Sequence, residues 1–180
     1  MKLHFSKILY LVVIILLFSG CKKTYLLSEK QTIVFQYEYV NYAWGYQHNG
    51  YIIDNKGNIL TFNNPEKWNF RDKDMILTEK QVAENITKCQ LTTRKIPSDD
   101  LRKYSGYINN MASSQLTASK NVAADAGTAE YVCYQFSETS GTYKGYIIKT
   151  EGDFTRENLN FYSKKVVHWM KEISNSLVLN

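Results

Sequence analysis

The chain has 180 residues, 44% of them hydrophobic, with 22 Lys and Arg against 17 Asp and Glu and only 2 Pro, the balance of an ordinary folded domain. Disorder, collagen-like repetition and a multidomain machine are excluded at this length and composition. The formal charge of +5 is spread along the chain without the basic stripe that tracks phosphates, so nucleic acid is not an expected partner.

The first twenty residues read as an address. Lys2 and Lys7 precede an eleven-residue apolar run from Ile8 to Phe18, too short to span a bilayer comfortably and of the right length for a signal-peptide core. The run closes on Leu17-Phe18-Ser19-Gly20-Cys21, two small residues before a cysteine. This segment resembles a bacterial lipoprotein signal, with Phe18 where the commonest motif has Leu. The resemblance covers residues 1–21 only. It implies lipidation of Cys21 on sulfur, cleavage between Gly20 and Cys21, acylation of the new amine, with palmitate among the lipids, and attachment to a membrane of the cell envelope, facing the periplasm. Two acyl chains anchor a protein stably where one does not. Loss of Lys2 and Lys7 lowers the formal charge to +3. Lys22 and Lys23 then follow the anchor directly, where an anionic leaflet would attract them. Residues 21–31 form a tether of mixed charge, and residues 32–180 form the domain.

In the domain, TIVFQYEYVN alternates as a strand, with Ile33, Phe35, Tyr37 and Tyr39 on one face and Gln36 and Glu38 on the other. YAWGYQHNG reads as an aromatic loop, and residues 51–62 as a hairpin turning at Gly57. Thr78-Glu79-Lys80-Gln81 matches a capping box and opens a helix expected over 79–91. A second helix is expected from Ser98 to about Leu116, with Asp99 and Asp100 at its positive end. Residues 118–128 read as a surface connection. EYVCYQFSE and TYKGYIIKTE form a second hairpin through Thr139-Ser140-Gly141, and a last helix runs over 156–176 behind a Thr155 cap. The expected fold is therefore α+β, one antiparallel sheet of about five strands packed against three helices. GYIIDNKGN at 50–58 and GYIIKTEGD at 145–153 echo one another, as two hairpins of one sheet can without duplication.

Chemistry is sparse. No Gly-x-Ser-x-Gly elbow and no phosphate loop is present, so nucleophilic hydrolysis and nucleotide binding have no motif. No metal site or cofactor is expected: Cys89 and Cys133 lie too far apart for paired zinc spacing, and His168 falls on a basic helical face. The two cysteines are either a disulfide or a pair of buried thiols. The densest cluster is Tyr42, Trp44, Tyr46 and His48, a candidate surface for stacking on a glycan or covering a protein partner. Glu38 or Asp54 could orient His48 for general acid-base work if folding joined them. Three readings follow: an anchored binding or assembly module, a small envelope hydrolase built on His48 with Glu38 or Asp54, and a structural surface protein without a ligand site. The first leads, because the anchor and the aromatic surface are both legible and a catalytic motif is not.

Overall fold

The structure, a computed structural model, describes residues 25–177. The signal segment, Cys21 and the first residues of the tether lie outside the described residues. Nine strands form one antiparallel sheet: β1 (Ile33–Asn41), β2 (Gln47–Asp54), β3 (Asn58–Asn63), β4 (Ile76–Thr78), β5 (Gln90–Lys95), β6 (Lys120–Asn121), β7 (Thr128–Ser137), β8 (Thr142–Gly152) and β9 (Phe154–Glu157). Their order is β5-β3-β2-β1-β7-β8-β9-β6, with β4 also paired to β8. The helical segments are α1 (Glu79–Ile86), α2 (Ser98–Ser105), α3 (Ile108–Ala112) and α4 (Ser163–Ser176).

The α+β class holds, with about twice the five strands expected. The additional strands are short or sit where helix was expected. Residues 90–95 form β5 on the sheet edge, because the helix opened by the Thr78 capping box stops at Ile86. Thr92 and Thr93 suit the pleated edge better than a helix. The expected second helix is broken at Gly106-Tyr107 into α2 and α3. The last helix starts at Ser163 rather than Arg156. Residues 154–157 are β9, Thr155 pairs with Lys120 on β6 instead of capping a helix, and Leu159 lies exposed in the connection.

Both faces of the sheet are covered, which is why so many of its side chains are buried. On one face Phe35, Tyr51, Ile53 and Cys133 pack against Leu101, Ile108, Trp169 and Met170 from α2, α3 and α4. On the other, Ile52, Phe62, Val132 and Tyr134 meet Trp68, Leu77 and Val82 from the 64–75 segment, β4 and α1. A bulge between Ile33 and Phe35 breaks the expected alternation. Ile33 joins the second face, while Phe35 and Tyr37 remain on the first.

Tyr51 fastens the long helix to the sheet, its hydroxyl donating to the Met170 carbonyl at 2.6 Å. Tyr51→Phe is expected to lower unfolding free energy by about 1 kcal/mol, read by urea denaturation. The two cysteines are free thiols on opposite sides of the sheet, Cys133 in the first cluster and Cys89 against the second, so the possible disulfide is not formed. Burial pushes the Cys89 thiol up to about 12 and the Cys133 thiol up as well, leaving neither as an activated nucleophile.

Candidate functional site

The β1–β2 connection is five residues long and turns tightly, with Asn41 Oδ1 accepting from the Ala43 amide at 2.8 Å. The turn leaves Tyr42 71% and Trp44 78% exposed, with Tyr46 partly exposed beside Tyr42, ring centroids 5.5 Å apart. Large aromatic side chains in contact with water on one short turn form a surface that a ligand or partner can cover.

His48 is not part of that loop. It lies in β2, fully buried, with its ring 5.0 Å from Phe62, 5.3 Å from Trp68 and 5.0 Å from Phe70. Its Nε2 stands 3.2 Å from Glu38 Oε2. Folding therefore joins His48 and Glu38 but leaves Asp54 out. Six residues along an extended strand place Asp54 about 20 Å away. There its Oδ1 accepts from the amides of Lys56 and Asn58 and holds the β2–β3 turn. His168 sits on the exposed face of α4, its Nε2 3.4 Å from Glu172.

Glu38 and His48 are joined to groups that the sequence did not single out: Arg71, Glu130 and Tyr134. Glu38 and Glu130 face each other across the β1–β7 register, two carboxylates side by side on a covered face. Such a pair is destabilising unless a cation bridges it. Arg71 does so: Nη2 donates to Glu38 Oε1 and, at 2.7 Å, to Glu130 Oε2, while Nη1 donates to the Tyr134 hydroxyl at 2.8 Å. The Tyr134 hydroxyl in turn donates to Gln36 Oε1 at 2.6 Å. The chain Gln36, Tyr134, Arg71, Glu38, His48 is thus continuous beneath the aromatic turn.

The two carboxyls respond in opposite directions. Burial disfavours charge on Glu38, but the adjacent Arg71 guanidinium and the His48 hydrogen bond outweigh it and hold this carboxyl below the usual range. At Glu130, burial and the neighbouring Glu38 charge prevail over Arg71, and the carboxyl rises above that range. Burial also pushes the Tyr134 phenol up to about 12.

Opposite slopes in stability against pH follow. Glu38 contributes stability that is present above the ordinary glutamate pKa and is lost as pH falls toward its depressed value. Glu130 does the reverse: its folded form holds a proton longer than its unfolded form, so stability falls as pH rises through the interval just above the ordinary value. Glu130→Gln is expected to flatten that falling limb and leave the acid limb in place, as read from urea midpoints at a series of pH values.

Two glycines make room for the network. A Cβ at Gly50, opposite Glu38, would lie 2.1 Å from the Tyr37 carbonyl oxygen and 2.8 Å from Phe62 Cζ. A Cβ at Gly145 would meet Arg71 Cδ at 2.9 Å. These are the first residues of the two GYII echoes, and both echoes run from strand into turn, at Gly57 and Gly152.

Above the network lies a cavity of about 290 Å³, walled by Tyr42, Phe70, Val40 and Met75 and bounded by Glu38, Arg71 and Glu130. It is at the small end for ligand sites and suits a small molecule or one protruding side chain. No group of three or more His, Cys, Asp or Glu placed to hold a metal occurs among the described residues. No family model matches the chain, nor does any curated protein or solved structure.

A general base must come within hydrogen-bond reach of its substrate, directly or through one water. His48 is enclosed by four aromatic rings, and both oxygens of Glu38 are engaged within the protein. This geometry suits a structural pair that positions the wall of the cavity better than it suits a catalytic one.

Proposed function

We propose that this protein is a lipoprotein of the bacterial cell envelope, anchored through Cys21 and facing the periplasm, whose domain is a binding or assembly module. The observation that carries this reading is the exposed Tyr42–Trp44–Tyr46 turn standing beside a cavity floored by a preformed buried ion network. A rigid polar floor under exposed aromatic walls is the arrangement of a recognition site. A purely structural surface protein has no need of such a cavity, and the enclosure of His48 speaks against the hydrolase. No helix among the described residues is long and apolar enough to cross a membrane.

Two experiments test the two halves of the proposal. Metabolic labelling with an alkyne fatty acid is expected to mark the wild-type chain and to be lost in Cys21→Ala; label surviving that change removes the anchor. A photocrosslinking amino acid at position 44 is expected to give a discrete adduct in cells of the native host, and the same group at exposed Leu91 on the β5 edge is expected to give none. Equal patterns from both positions would remove the recognition role.

A further inference from the structure

The cavity beside Tyr42 has a chemical bias of its own. It is bounded by two carboxylates and one guanidinium, so its lining carries one net negative charge. The guanidinium is turned inward: Arg71 spends its Nη groups on Glu38, Glu130 and Tyr134, and its side chain is only 7% exposed. Glu38 has both oxygens engaged, by Arg71 and His48. Glu130 differs. Its side chain is 25% exposed, and Oε2 accepts from Arg71. Arg156 on β9, next but one in the same cross-strand row, adds a weaker positive influence. Burial and the neighbouring Glu38 charge outweigh Arg71 and Arg156 at the Glu130 carboxyl, which is held above the usual range. The remaining walls are π faces and apolar surface: Tyr42, Phe70 and Met75.

We propose that the cavity recognises an organic ammonium group on an apolar stem, such as a primary alkylamine or a lysine side chain, with Glu130 as the anionic contact and Tyr42 and Phe70 as the π walls. This rests on the binding-module reading and specifies its ligand. A carboxylate accepts a charge-assisted hydrogen bond from the ammonium, and aromatic faces attract the cation through their quadrupoles. The stem lies against Met75 and Val40. A carboxylate ligand would instead have to approach Glu130 and Glu38 while the guanidinium that could receive it is already occupied.

The test uses the full-length lipoprotein in detergent with methyl-labelled methionine, because Met75 lines the cavity while Met111 and Met170 are buried in the cluster on the other face of the sheet. The probes are n-pentylammonium, n-pentanol and n-pentanoate, one stem with three charges. Pentylammonium is expected to shift the Met75 methyl saturably and to bind more tightly than pentanol, with pentanoate weakest. Glu130→Gln is expected to weaken pentylammonium about tenfold. Phe70→Leu, which removes one π wall and keeps an apolar side chain there, is expected to weaken it about threefold with pentanol unchanged. Equal binding of pentylammonium and pentanol, preference for pentanoate, or no Met75 shift with any probe would overturn the ammonium assignment. The crosslink from position 44 does not depend on these outcomes, so failure here is distinguishable from failure of the recognition role itself.

Discussion

Arg71→Ala is expected to lower the unfolding free energy by about 3–5 kcal/mol, because it strips the bridging cation from two carboxylates held against each other on a covered face. Glu38 is buried and keeps only its His48 hydrogen bond when Arg71 is gone, so its charge loses its compensating cation while still largely screened from solvent. Glu130, at the edge of the cavity, keeps partial access to solvent. Much of the loss is therefore the cost of leaving Glu38 charged, not the net worth of the ion pairs. The Tyr134 hydroxyl also loses its donor, and the 64–75 segment keeps its ties to the sheet through Asn64 and Met75 near its two ends. Adding Glu130→Gln to Arg71→Ala is expected to recover part of the stability by removing one of the two facing charges, a non-additivity that a double-mutant cycle measures. A loss under about 1 kcal/mol for Arg71→Ala alone would mean that water reaches and screens the network.

Gly50→Ala is expected to cost about 3 kcal/mol, equivalent to a fall of roughly 6–12 °C in the thermal midpoint of a domain this size. The first obstacle to its Cβ is the Tyr37 carbonyl oxygen of the neighbouring strand, and the next are Phe62 Cζ and Glu38 Cα. Backbone atoms in the middle of a nine-stranded sheet cannot move aside without disturbing the β1–β2 ladder. Gly145→Ala provides the comparison. Its nearest obstacle is the Cδ of Arg71, part of a long side chain, followed by Tyr134 and Val132 side-chain atoms at 3.3 Å. Its cost is expected near 1 kcal/mol. If the two substitutions cost the same, close backbone approach at Gly50 is not what selects glycine there.

Much of this architecture can be read from residue order, and the parts that cannot share a physical cause. The two hairpins and the Thr78 capping box are local signals, and each stands in the fold where its pattern puts it, while the last helix keeps its expected C-terminal end and starts seven residues late. Strands β4, β5 and β6 are two to six residues long and exist through pairing with distant segments, information that no window of neighbouring residues contains, whereas β9 is a four-residue return onto the adjacent β8 in a stretch whose pattern reads as helix. The bulge after Ile33 likewise depends on the register with β2 and reverses the face of one residue. At the site, the aromatic turn was legible because Tyr42, Trp44 and Tyr46 are consecutive alternate residues. Arg71 was not, since it lies 33 positions from Glu38 and 59 from Glu130 in a segment with no regular period. One signal did point to the network. Gln36 and Glu38 occupy the second face of a strand whose first face is aromatic, and a sheet covered on both sides must find partners for such groups.

Trp44 offers the most direct test of the central claim that the aromatic turn is a recognition surface. The other two tryptophans, Trp68 and Trp169, are buried, so Trp44 alone reports on the outside of the turn. Fluorine NMR of the fluorotryptophan-labelled protein, compared between detergent and isolated native membranes, separates the three positions. The account predicts that the Trp44 resonance alone shifts or broadens in the native membranes while those of Trp68 and Trp169 keep their positions. An unchanged Trp44 resonance in membranes that hold the protein's natural surroundings would contradict it.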